Sequence, residues 1–238
     1  MTKATILLAA AIAAHAGEPS RFAGRFTGSC SYTTNVLVTP NAWESRTLHR
    51  MVRPIDDRSL EILEWTEASS SAYPKVNLVF TPTRYTVKQT AEATFADAKG
   101  ETQIQFAGAR QKRVMKLSEK ESSEPCFGKS LIEELQHDKA DASLSPSFNC
   151  AKATQPREKA ICANPELALL DQHLALAFRA ADYRVGDHRQ NPARRSASQK
   201  LHANQEEWWA TQLKPCQDAG CVRTLYTDRI RYLDALGK

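Results

Sequence analysis

Between Asn164 and Ala181 the sequence runs Asn164-Pro165-Glu166-Leu167-Ala168-Leu169-Leu170-Asp171-Gln172-His173-Leu174-Ala175-Leu176-Ala177-Phe178-Arg179-Ala180-Ala181, and its period is helical. Asn164 supplies a side-chain oxygen for the free amides of a first turn, and Pro165 has no amide to leave unsatisfied. Glu166 puts negative charge at the positive end of the helix dipole. Leu167, Leu170, Leu174, Phe178 and Ala181 then recur at three- and four-residue spacing on one face. The spacing predicts an amphipathic helix ending near Tyr183.

Downstream the helical character continues. Arg184 to Arg195 contains Gly186 and Asn191-Pro192 and reads as a loop, after which Ser196 opens a helix carrying Leu201, Gln205, Trp208 and Trp209. Pro215 and Gly220 bracket a corner that holds Cys216 and Cys221. Val222, Leu225, Tyr226, Ile230, Leu233 and Leu236 mark a last amphipathic helix. Upstream the period changes to two. Phe22–Gly28, Leu60–Trp65, Val76–Phe80, Tyr85–Lys88, Thr102–Phe106 and Val114–Leu117 are strand-like, with Pro40-Asn41, Asp56-Asp57, Pro82 and Lys99-Gly100 as turn formers. Short strands at this spacing predict an antiparallel meander closed as a small barrel or packed as a sandwich. Between the two regions lies a polar stretch, with a short helix expected at Lys129–Gln136 and a linker from Asp138 to Pro146. The fold class expected is α+β: a β-rich domain over residues 17–120, a linker over 121–146, and a disulfide-stapled helical domain over 147–238.

Composition agrees with a folded protein. Of 238 residues, 42% are hydrophobic and 25% charged, which argues against wholesale disorder. A net charge of +5 is too small an excess to point to nucleic acid. The first residues have the three parts of an export signal. Lys3 supplies positive charge, Ala4 to Ala14 is apolar but too short to span a bilayer, and Ala14-His15-Ala16 offers small residues where a signal peptidase reads them. Residues 1–16 are therefore expected to be removed, leaving a periplasmic or secreted protein with no transmembrane segment.

Six cysteines lie beyond the signal: Cys30, Cys126, Cys150, Cys162, Cys216 and Cys221. An even number in an exported chain reads as disulfides, and six admit 15 pairings. Proximity favours Cys150–Cys162 and Cys216–Cys221, which leaves Cys30–Cys126. In the chain-entropy view the long Cys30–Cys126 loop is worth about 4–5 kcal/mol and the Cys150–Cys162 loop about 3. A zinc site competes weakly, since no CxxC occurs and no His pair lies at ligand spacing near a Cys pair. No metal or other cofactor is expected.

Phe148-Asn149-Cys150-Ala151-Lys152-Ala153 leads to Glu158, Ile161 and Cys162, then to Pro165, Leu167, Leu170 and Asp171. Gln205, Trp208, Cys216, Cys221, Tyr226, Arg229, Ile230 and Leu233 follow. In order and spacing this resembles the LprI-like family, the lysozyme-inhibitor N-terminal-domain family of exported bacterial proteins. The resemblance runs from about Ser147 to Leu236. Members often carry Arg a turn after the Trp, where this chain has Gln212. The resemblance implies a helical, disulfide-linked domain and binding to a lysozyme-type muramidase.

Several residues become candidates for contact with such a partner. Arg184, His188, Arg189, Arg194 and Arg195 form the strongest charge cluster, and muramidases cleave with a pair of carboxylates into which a cation can insert. A solvated loop is the competing reading. Trp209 is a candidate interface residue, and Trp208 a core anchor. Lys152 is either a partner contact or one half of a surface ion pair with Glu158. Asp171, Gln205, Trp208, Tyr226 and Arg229 are read as structural, with Asp171 and Arg229 expected to pair between helices. Enzyme signals are weak. No G-x-S-x-G, H-E-x-x-H or P-loop pattern occurs, and Glu206 and Glu207, adjacent on a helix, point in different directions. The function expected is non-catalytic inhibition of a lysozyme-type peptidoglycan hydrolase. An envelope scaffold or adaptor is the alternative. Many lysozymes are basic, so long-range steering of this positive chain toward one would be weak or repulsive.

Overall fold

The computed structural model describes residues 22–34, 42–70, 73–79, 82–100, 102–107, 114–119, 133–137, 144–186 and 192–236. The expected signal peptide, His188, Arg189 and Cys126, and with Cys126 the expected Cys30–Cys126 bridge, lie outside the described residues.

Among the described residues nine antiparallel strands come first: β1 Gly24–Thr34, β2 Ala42–Asp56, β3 Ser59–Ser70, β4 Tyr73–Val79, β5 Thr83–Ala91, β6 Thr94–Ala96, β7 Thr102–Ala107, β8 Val114–Glu119 and β9 Glu133–His137. β1, β2, β3, β5, β6 and β7 form a curled half-barrel. β4 continues the β3 edge beyond β5, with Glu67 opposite Val79. β8 follows β7, and β9 pairs both with β8 and, at Phe26–His137 and Thr27–Gln136, with β1. The architecture has the curvature of a barrel, not the two stacked layers of a sandwich. In the β2–β3 hairpin the Asp56 carboxylate accepts a hydrogen bond from the Arg58 amide at 2.8 Å, an interaction that holds the carboxyl below its usual range.

β9 replaces part of the short helix expected at Lys129–Gln136. Its residues form helices readily in isolation, but here they complete ladders on two sides, and pairing overrides propensity.

Successive residues point to opposite faces of a strand, and here both faces are used. The inner face gathers Phe26, Leu48, Val52, Leu60, Ile62, Val87, Phe95, Ile104 and Phe106, capped by Phe22, whose ring stacks on Phe106 with centroids 4.6 Å apart. Arg50 sits on the same inner side, 1% exposed, directly opposite Glu64 on β3. Its Nε donates to Glu64 Oε2, and the Tyr85 hydroxyl donates to the same oxygen at 3.1 Å. On the outer face Met51 and Leu63 lie opposite one another, and His49 stacks on Trp65.

The helical part follows: a 3₁₀ turn at Cys150–Lys152, then α1 Pro156–Ala163, α2 Pro165–Val185, α3 Pro192–Trp208 and α4 Ala219–Ala235, with a π-helical turn Trp209–Leu213 continuing α3. The start of α2 is as the sequence predicts: Asn164 Oδ1 accepts from the Glu166 and Leu167 amides, with Pro165 in first position. α3 begins at Pro192 instead of Ser196, because a proline in the first turn has no amide needing a partner. Arg194 and Arg195 therefore lie on a helix, not in a loop. Both disulfides favoured by proximity are present, Cys150–Cys162 and Cys216–Cys221, each with Cα atoms 5.8 Å apart. Ile161, Leu167, Leu170, Leu174, Leu201, Trp208, Val222, Tyr226 and Leu233 fill the core between the helices.

The two parts meet along α2. Leu169, Leu176 and Ala180 on its second face bury Met51, Leu63 and Trp65 of the sheet. Arg179 reaches Glu67 across this seam at 3.1 Å. Among the described residues, no helix is long and apolar enough to cross a membrane.

Candidate functional site

A cleft of about 350 Å³ opens on the helical part. Its walls are aromatic: Phe148 ahead of α1, Phe178 on α2, Trp208 and Trp209 at the end of α3, and Tyr226 on α4. Between them stand Ser147, Arg157, Glu158, Asp171 and Gln205.

Each of these polar groups already serves the frame. Asp171 is 7% exposed, and its carboxylate accepts three hydrogen bonds: from the Ser147 amide at 2.7 Å, the Ser147 hydroxyl at 2.6 Å and the Tyr226 hydroxyl at 2.9 Å. Burial, followed by the Asp171 charge, pushes the Tyr226 phenol well above its ordinary pKa, so it remains a donor. Arg157, buried on α1, donates to the carbonyls of Leu213 and Lys214 at 2.8 and 3.2 Å. These carbonyls lie where α3 and its π turn run out of intrahelical partners. Glu158 accepts from the Thr154 and Gln155 amides and caps α1, which holds its carboxyl below the usual range. Gln205 Oε1 accepts from Arg229 Nε at 2.8 Å, and the Arg229 guanidinium lies over the Trp208 and Tyr232 rings, 5.3 and 4.7 Å from their centroids. Burial lowers the Arg229 pKa from its ordinary value.

Trp209 is the exception to this inward accounting. It is 46% exposed at the mouth, whereas Trp208 is buried. The Lys214 ammonium and the Arg157 guanidinium each lie 5.9 Å from the Trp209 ring centroid.

Three sequence expectations change. Asp171 and Arg229 do not pair: Tyr226, one turn earlier on α4, comes level with Asp171, while Arg229 is turned toward Gln205 and Trp208 on α3. Lys152 and Glu158 do not pair either, because the Glu158 carboxylate is held by backbone amides, and Lys152 is simply exposed. Arg184 belongs to the end of α2, not to a loop, and donates to the carbonyls of Leu233 and Leu236 at 2.8 and 2.9 Å, closing the last turn of α4. Arg195 is exposed on α3.

The structure thus gathers Asp171, Gln205, Trp208, Trp209 and Tyr226 at one cleft, with Arg229 next to it, and leaves Lys152, Arg184 and Arg195 outside its lining. Sequence reasoning missed Ser147 and Arg157, since neither has a spacing that sets it apart from a surface residue. With the polar side chains engaged by the chain itself, the surface offered to a visitor is chiefly aromatic. Such a surface is suited to contact more than to proton transfer. Comparisons with models of known protein families, with curated proteins and with solved structures gave no match for this chain.

Proposed function

We propose that this chain is an exported, non-catalytic binding protein of the LprI-like kind, which occludes a lysozyme-type peptidoglycan hydrolase. The carrying observation is the half-exposed Trp209 with the Lys214 ammonium beside its ring, at the mouth of the cleft. The Cys216–Cys221 bridge and the Arg157 hydrogen bonds to Leu213 and Lys214 make this corner rigid. A muramidase cleft accepts a row of sugar rings and places two carboxylates about the scissile bond. An indole with a neighbouring cation matches both features, and a pre-ordered aromatic anchor loses little entropy on binding. The Cys150–Cys162 and Cys216–Cys221 bridges support an oxidising compartment, in keeping with the export signal.

The test is lysis of cell-wall fragments by purified muramidases of several types, with and without the full chain, together with size-exclusion chromatography of the mixtures. Dose-dependent slowing at micromolar protein is expected for at least one type. Trp209→Ala should weaken it by about tenfold or more, as truncation of an interface anchor does. Lys214→Glu should weaken it further at low salt. No slowing and no complex with any type would remove the proposal.

A further inference from the structure

α2 is apolar on two sides. Leu167, Leu170, Leu174, Ala177 and Ala181 face the other helices. Leu169, Leu176 and Ala180 face the sheet, and position 173 falls in this second row, one turn after Leu169 and one before Leu176. His173 occupies it. The imidazole is 5% exposed, and neither ring nitrogen makes a well-formed hydrogen bond, the Pro82 carbonyl offering only a weak one. A buried polar group without partners is destabilising, and a buried charge without a counter-ion far more so.

The charges around His173 favour the neutral ring. Arg84 on β5, opposite Leu63 of the seam, acts on it directly and repels a second cation. The carboxylates along the seam are held by arginines. Glu61 on β3 lies 2.6 Å from Arg53 of β2 and 3.7 Å from Arg84. Glu67 on β3 holds Arg179. Glu166, on the first turn of α2, holds Arg223 of α4 at 2.7 Å. Burial and Arg84 together push the imidazole down to about 4, against the weaker pull of the Pro82 carbonyl.

We propose that His173 is an acid-sensitive latch, whose protonation releases α2 from the outer face of the sheet. The helices keep their own core and two disulfides, so release separates the two parts without dissolving the helical one. Met51, Leu63 and Trp65 then become accessible. From pH 6.5 down to about 4 the ratio of docked to released molecules falls tenfold per unit, about 300-fold in all.

The experiment is a pH titration of the full chain by two-dimensional NMR, following the His173 ring and the indole N–H of Trp65, which is buried in the seam. The expected result is that the His173 ring stays neutral well below pH 6, and that the Trp65 resonance leaves its docked position with the same midpoint as His173. His173→Gln and His173→Leu, neutral at every pH, should each abolish that transition, and one folded variant suffices for the comparison. Arg84→Gln should move the midpoint to higher pH. A Trp65 transition with an unchanged midpoint in a neutral variant would overturn the proposal. So would a His173 ring that titrates near 6.5 while Trp65 stays in place.

Discussion

Asp171 ties three segments together, and a double-mutant cycle measures how firmly. Its carboxylate holds Ser147 ahead of the first disulfide and Tyr226 on α4, while the residue itself stands on α2. Tyr226 is 3% exposed, so its hydroxyl has little access to water. A buried hydrogen bond to a charged acceptor is worth about 1.5–3 kcal/mol, so Tyr226→Phe should cost about 1.5 kcal/mol. Asp171→Ala removes the acceptor of all three bonds. Ser147 is exposed and its donors regain water, but the Tyr226 hydroxyl is left buried without its acceptor, for a total of about 3 kcal/mol. In the double variant there is no hydroxyl left to orphan, so the loss should fall back to about 1.5 kcal/mol instead of the additive 4.5, a coupling of about 3. Urea unfolding of the full oxidised chain at pH 7, followed by tryptophan fluorescence, gives all four values. A coupling below about 0.5 kcal/mol would mean that the hydrogen bond does not join α2 to α4, and the account of the cleft floor would fail.

The remaining predictions rest on separate features. Replacing Cys150 and Cys162 by Ser should cost about 3 kcal/mol, and replacing Cys216 and Cys221 about 2, in the order of their loop lengths; thermal unfolding of the two variants checks the order. Glu64→Gln takes the carboxylate from the nearly inaccessible Arg50 and should cost about 3–4 kcal/mol, whereas Arg50→Met with Glu64→Leu and Tyr85→Phe, which leaves no hydroxyl without its acceptor, should be close to neutral by urea titration. His173 gives a pH dependence of known sign. Its native pKa lies below that of the unfolded chain, so the unfolded chain takes up the proton first. Stability is full above pH 6.5 and falls toward pH 4, by about 3 kcal/mol in all, and the difference between wild type and His173→Gln across that window measures it.

The parts of the fold that the sequence shows are those where one element uses one face. β5 and β7 alternate cleanly, and α2 carries its cap, its proline and its helix-facing row in plain view. The two short disulfides follow from proximity alone. β2 is hidden because both its faces are covered. Leu48 and Val52 face the inner core and Met51 faces α2, while Arg50 interrupts the inner row, so no alternation survives. β9 is hidden because its stability comes from two neighbouring strands and not from its own residues. At the cleft, spacing identifies Asp171, Tyr226 and Arg229 as inward-facing but not which of them meet. That depends on how α2 and α4 cross, and it is settled by one turn of α4. Arg184 is misread for a related reason: α2 runs past Tyr183 to Val185, which carries the guanidinium to the end of α4.

The second row on α2 has the largest consequence. A helix with leucine or alanine at positions 167–170, 174–177 and 180–181 has too few polar positions for a helix with one solvent face. It must be covered on more than one side, and it is: by α1, α3 and α4 on one and by the sheet on the other. Asp171 and Leu174 line the cleft, while His173 between them belongs to the seam. The wall of the cleft is therefore the back of the surface that docks on the sheet. A small helical unit gains stability from two crosslinks and a third contact of this kind, where its own core is limited. The polar linker marks a boundary along the chain, but packing crosses it. Whatever shifts α2 on the sheet is felt at Asp171, through a helix turn too stiff to absorb the change.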